Sequence, residues 1–327
     1  MVAALQYKPG EALVVEDIPI PEPGPGEVLI KMSHSPINPS DLSMLRGTYA
    51  HLPSYPVIPG IEGSGIVVKA GKGILPRMRL NKKVACSSTP GLGGTWAEYM
   101  VTSAKRTIPL DRSIDMEQGS MLIVNPMTAV GIMKITDDGR HKAIVNNAAA
   151  SSLGKMLINL CRRKNIPLIN IVRRQKQAKE LSDSGSEYVL NSAYDNFPED
   201  LKKLSGDLGA TLFLDAIGGD QTRILAEAAP HGSIIMLYAK LSEEDFSLDS
   251  RVILQGNKTI NGFSLTNWSG KKKIWQVLRD IKLVKSMLNT ELKSTINARF
   301  QLREINDAID TYRNGMSKGK VLIILGK

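Results

Sequence analysis

The hydrophobic rhythm of the chain changes near residue 120. Before that point short apolar runs (Leu13 to Glu16, Glu27 to Met32, Gly65 to Lys69, Lys83 to Cys86, Ala97 to Val101) are broken by turn formers, as in PIPEPGPGE. That pattern predicts an all-β segment over residues 1–115. Leu122 to Ile135 then carries apolar positions at helical spacing, and from there strand and helix alternate. KAIVN, PLINIV, EYVL, ATLFLD and GSIIMLY read as strands, with Leu153 to Arg163 and Gln175 to Ser184 as helices. Nearly continuous apolar strands alternating with helices predict a parallel, doubly wound α/β sheet. Ligands then bind at the carboxyl ends of its strands. The final strand, KVLIIL, follows the helix EINDAIDTYRNG and is expected to return to the first domain.

Composition narrows the class. The 327 residues, 42% hydrophobic and 23% charged, suffice for two domains of a globular protein. No apolar run approaches the roughly 20 residues of a membrane span. The N-terminus reads as neither a signal nor a transit peptide, which gives a cytoplasmic expectation, mitochondrial if a presequence has been removed. Cys86 and Cys161 are too few for a disulfide framework. The net charge is +10, and Lys271 to Lys327 holds 13 Lys/Arg against 5 Asp/Glu. These charges are interleaved with apolar residues at helical spacing and read first as a solvated helix face, second as attraction for an acidic ligand or partner. Neither a nucleic-acid nor a membrane partner is expected.

The chemistry concentrates after the KAIVN strand, where NNAAASSLG leads into a helix. A phosphate turn needs backbone N–H groups aimed outward and a helix N-terminus behind them. Glycine usually permits the close approach, but small residues can serve where φ stays negative. Alone, this turn is as well read as a plain helix cap. Inside a βαβ unit it reads as a pyrophosphate cradle built from Ala150, Ser151, Ser152, Leu153 and Gly154. The next strand ends in Arg173 and Arg174, with no acid before Glu180. Two guanidiniums suit a ribose 2′-phosphate, so the expected cofactor is NADP(H).

The ordered landmarks INPSDL, PGIEGSG, GTWAEY, NPMTAV, DAIGG and GKVLI cover nearly the whole chain, which resembles the medium-chain dehydrogenase/reductase superfamily. The resemblance implies a GroES-like partly open β-barrel domain over 1–118 and 290–327, a Rossmann domain over 119–289, a nicotinamide site between them and a homodimer. The superfamily's zinc cysteine falls at Asn38 and its zinc histidine at Ile61, so no metal is expected. INPSDLSMLRGTYAHLPSYPVIPGIEGSG, INIVRRQKQAKELSDSGSEYVL and INGFSLTNW are most similar to mitochondrial-type trans-2-enoyl-CoA/ACP reductases, with quinone oxidoreductases next.

That likeness implies NADPH-dependent reduction of an activated carbon–carbon double bond, most simply in an enoyl thioester. Tyr49 would orient the carbonyl or donate the proton, and Asn38 would hold ribose or carbonyl by hydrogen bonds. Asn125 and Thr128 would orient the nicotinamide amide. Gln175, Tyr238, Phe263, Ser264, Leu265 and Lys320 would line the cofactor, with Ser264 standing where a tryptophan commonly lines the acyl pocket. An acyl carrier protein is a further partner the likeness implies. A quinone or alkenal reductase, or a catalytically weak NADPH-binding protein, are the alternative readings.

Overall fold

The computed structural model describes residues 1–48 and 54–326. The chain divides into one unit of Met1–Met127 with Ile281–Lys327 and another of Thr128–Asp280. It begins with β1 (Val2–Leu5), β2 (Val14–Asp17), β3 (Glu27–Pro36), α1 (Pro39–Leu45), β4 (Glu62–Ala70) and α2 (Ile74–Arg79). Then come β5 (Lys83–Ser87), β6 (Tyr99–Ser103), β7 (Thr107–Pro109), α3 (Met116–Ser120) and α4 (Val124–Asp138). The alternating part holds β8 (Ala143–Asn146), α5 (Ser152–Lys164), β9 (Leu168–Val172), α6 (Gln175–Asp183), β10 (Tyr188–Asn191) and α7 (Phe197–Leu208). It continues with β11 (Ala210–Asp215), α8 (Asp220–Ala228), β12 (Ile234–Leu237), α9 (Ser250–Gly256), β13 (Thr259–Gly262) and α10 (Leu265–Gly270). After α11 (Ile274–Met287) the chain ends in β14 (Ile296–Gln301), α12 (Ile305–Gly315) and β15 (Lys320–Ile324).

The first unit is organised on β3, a ten-residue strand that pairs antiparallel with β4, β6 and β15. The sheet runs β14-β15-β3-β4-β5-β7. The closing strand therefore joins the first unit, with Leu322 opposite Pro36. Its core gathers Ile30, Met32, Val67, Val84 and Met100 from the early strands and Trp96 from the loop before β6 with Ile305, Ile309, Tyr312 and Ile323 from the last two elements.

In the second unit six parallel strands run in the order β10-β9-β8-β11-β12-β13. This is the doubly wound order, in which the direction of succession reverses between β8 and β11. All five residues of β9 are buried, as its unbroken apolar run requires. α5 starts on the Ser151 hydroxyl, which accepts the Gly154 N–H at 3.0 Å. It stops at Asn165, whose φ of 53° no helix continues, and Arg162, Arg163 and Lys164 lie against the negative end of its dipole. Eleven of these elements lie beyond the sequence reading: the strands β1, β7, β13 and β14 and the helices α1, α2, α3, α7, α8, α9 and α10.

Candidate functional site

Because every strand of the second sheet is parallel, all its carboxyl ends share one edge. Four expected groups lie there. The turn Asn147–Ser151 follows β8, Arg173 and Arg174 follow β9, Tyr238 follows β12, and Phe263, Ser264 and Leu265 follow β13. At the reversal point Asn147 bridges β8 and β11. Its amide donates to Asp215 Oδ1 at 2.6 Å, and its carbonyl oxygen accepts the Ala216 N–H at 2.7 Å. Asp215 Oδ1 also accepts the N–H groups of Ile217 and Gly218, and Oδ2 accepts the Thr222 hydroxyl at 2.6 Å. This fully bonded carboxylate holds two neighbouring loops in register beside the crevice where such sheets take ligands. Asn147 is absent from the sequence-expected set, although its place at the end of an apolar strand was a usable signal.

The turn itself departs from expectation in one respect. The sequence reading kept φ negative throughout, but Ala148 has φ 52°. A chain that leaves β8 and enters α5 so abruptly needs one left-handed residue. An alanine there costs about 1–2 kcal/mol, which a glycine would avoid. The lone glycine stands where no side chain fits: a Cβ on Gly154 would lie 2.3 Å from the Ala149 carbonyl oxygen. Ala150 and Leu153 are buried, and Ser151 and Ser152 half-buried. Since Ser151 Oγ accepts a hydrogen bond as the helix cap, its O–H remains a donor.

Around this turn, Tyr238 donates its hydroxyl to Asn146 Oδ1 at 3.3 Å, and burial pushes its phenol well above the ordinary range. The other side of that carboxamide, Asn146 Nδ2, is buried with no partner among the described residues. Arg173 and Arg174 are exposed. Gln175 begins α6 and accepts the Tyr194 hydroxyl at 2.6 Å. Ser264 caps α10, and Phe263 meets Trp268 at a ring separation of 6.2 Å.

The first unit holds a second cluster, entirely buried. Asn38 donates its side-chain amide to Glu62 Oε1 at 3.1 Å and accepts the Lys320 ammonium at Oδ1. Glu62 Oε2 accepts the N–H groups of Ile123 at 3.0 Å and Val124 at 2.9 Å, at the start of α4. Asp41 Oδ2 accepts the Asn38 N–H at 2.8 Å, while its Oδ1 has no partner among the described residues. Burial raises both carboxyls, Asp41 to about 7, against the attraction of the Lys320 ammonium. Burial likewise lowers Lys320, against the pull of Glu62 and Asp41. Asn38 and Lys320 were expected to meet ribose, carbonyl or cofactor. Both are at most 1% exposed, and their polar ends are committed to each other and to Glu62.

Asn125 and Thr128 lie in the first turns of α4, both buried. Tyr49 lies outside the described residues. Both thiols are buried and raised, Cys161 to about 12, which leaves neither as a nucleophile at neutral pH. Among the described residues no three His, Cys, Asp or Glu side chains cluster as a metal site would require. Among them too, no helix is long and apolar enough to cross a membrane.

This arrangement has known relatives. Residues 24–112 match the alcohol dehydrogenase GroES-like domain, and residues 152–281 match the zinc-binding dehydrogenase family. A mitochondrial enoyl-acyl-carrier-protein reductase of Caenorhabditis elegans is 26% identical over 324 residues, covering 97% of this chain and 92% of that protein. A crystal structure from Mesorhizobium loti, named as a candidate NADPH:quinone reductase, superposes with a TM-score of 0.93 at 29% identity over 99% of this chain and 98% of that one. A protein of the same description from Bacillus thuringiensis gives 0.87 at 27% identity, with 99% and 98% covered. A GroES-like unit interrupted by a six-stranded doubly wound unit, matched over nearly its whole length by these oxidoreductases, places the chain in the medium-chain dehydrogenase/reductase superfamily.

Proposed function

We propose that the protein is an NADPH-dependent reductase of activated carbon–carbon double bonds, with trans-2-enoyl thioesters as its substrates. The observation that carries this reading is the pair Arg173 and Arg174, exposed at the carboxyl end of β9 beside the capped N-terminus of α5. The residues fit the cofactor. Gly154 lets the first turn of α5 pack directly on the Ala149 backbone, and Asn146 Nδ2 is a buried donor still without a partner among the described residues. When bound, NADPH supplies the hydride for the β-carbon of the alkene.

The chain's own part is orientation, charge and a proton. The N–H groups and dipole of α5 receive the pyrophosphate, and the two guanidiniums neutralise the 2′-phosphate bidentately. Asn125 and Thr128, on the first turns of α4, hold the nicotinamide amide. Tyr49 holds the thioester carbonyl or protonates the α-carbon, as a phenol can. Asn38 and Lys320 act through Glu62, which grips the N–H groups that begin α4. They are positioning residues rather than groups that touch substrate. The likeness to enoyl reductases over 97% of the chain supports the thioester. The test is NADPH oxidation with crotonyl-CoA and a longer trans-2-enoyl-CoA, beside a naphthoquinone and acrolein. Thioester turnover that Tyr49→Phe reduces at least tenfold supports the proposal; no thioester turnover above background overturns it.

A second reading is an NADPH:quinone reductase, favoured by the TM-score of 0.93 to the Mesorhizobium loti structure so named. Faster turnover of the naphthoquinone than of any thioester would establish it.

A further inference from the structure

α11 carries a face that the proposed chemistry does not use. Ile274, Trp275 and Leu278 are 72%, 50% and 57% exposed. With Arg279 they stand at helical spacings of one, four and five residues, so they share one side of the helix. The opposite side holds half-buried Val277 and buried Asp280, whose carboxylate takes the ammonium groups of Lys134 and Lys272. The packing requirement of the helix is therefore met without the outward face. Basic groups frame that face: Lys271 and Lys273 are exposed just before the helix, and the Arg279 guanidinium lies 5.2 Å from the Trp275 ring centre.

An indole and two aliphatic side chains amid cations, on a helix already anchored from behind, match the composition of interfacial helices. Such helices sink their apolar side to headgroup depth while Lys and Arg meet anionic phosphates. A second copy of this chain is a poor occupant. A twofold contact would gather Lys271, Lys273 and Arg279 of both copies in one interface, concentrating like charge.

We infer that the α11 face, through Ile274, Trp275, Leu278, Lys271, Lys273 and Arg279, docks the protein on the surface of an anionic phospholipid bilayer without crossing it. The test is co-sedimentation of the full chain with vesicles of phosphatidylcholine alone and with about a third phosphatidylserine. Binding to the anionic vesicles should be at least tenfold stronger and should fall with added salt. Ile274→Ser, Trp275→Ser and Leu278→Ser combined should abolish it, and Lys271→Glu with Lys273→Glu should weaken it at least fivefold. Because all five side chains are exposed, these variants keep the fold, which circular dichroism verifies. Equal binding to both vesicle types, no binding, or wild-type binding by the triple variant overturns the inference. So does self-association that the triple variant loses, which would make the face a contact between copies. None of these readouts depends on turnover.

Discussion

Asn38 gives its side-chain amide to Glu62 at 3.1 Å, joining the residue that precedes α1 to the first residue of β4. Through its other oxygen Glu62 also holds the Ile123 and Val124 N–H groups. Replacing it with alanine strips one buried and two partly buried donors of their acceptor and leaves Lys320 with less compensating charge. Breaking such a pair costs about 3–5 kcal/mol. Glu62→Ala should show this loss in denaturant unfolding, and Glu62→Gln a smaller one because an amide oxygen still accepts. A loss below about 1 kcal/mol for the alanine variant would contradict the role given to Glu62.

Asp41 gives the fold a pH dependence of unusual sign. An unfolded chain releases this proton near the ordinary value of 3.8, whereas burial holds it in the folded chain up to about 7. Between those values the folded state binds more protons, so the stability tied to Asp41 is complete below the lower value and is lost as pH rises through the upper one. Glu62 is raised and Lys320 lowered in the same cluster, so the slope belongs to the three together. Asp41→Asn keeps an acceptor for the Asn38 N–H and carries no proton to lose. Its stability relative to wild type should increase between about pH 4 and pH 7 and level off above that in urea titrations; a pH-independent difference would refute the assignment.

The turn after β8 makes two opposite predictions. Ala148→Gly relieves a left-handed alanine and should stabilise the protein by roughly 0.5–1 kcal/mol after the extra chain entropy of glycine. Gly154→Val forces a side chain onto the Ala149 carbonyl and should cost at least about 2 kcal/mol. Thermal unfolding distinguishes them, and a destabilised Ala148→Gly would mean that the turn does not carry the strain described.

Arg173→Ala combined with Arg174→Ala should raise KM for NADPH at least tenfold and change KM for NADH less than threefold. Only the former cofactor has a 2′-phosphate to lose. Fluorescence titration gives the same comparison without turnover. Equal losses for both cofactors would remove the arginines from the phosphate site.

How far such features can be read from sequence depends on the range of the interactions behind them. β9 and α5 were legible because LINIV has no polar interruption and α5 carries its cap and its basic end within a few residues. β14 was missed although INARFQ alternates half-buried and exposed positions, because Asn297 and Arg299 break its apolar look. α7 was missed although Phe197, Leu201, Leu204 and Leu208 fall at helical spacing. The link between Asn38 and Lys320 spans 282 positions, and a lone lysine before VLIIL reads locally as a surface residue. Only the packing of β15 on β3 turns it into a buried cation.

That pairing also orders events during synthesis. β3 leaves the ribosome early, yet its neighbour β15 is made almost 290 residues later, so the first unit cannot complete its sheet until that strand has emerged. The second unit has all six of its strands between residues 143 and 262 and can close its own core first. Until β15 emerges, the nascent molecule is a finished nucleotide-binding sheet preceded by an N-terminal segment with an open β edge, the stage at which a chaperone has most to protect.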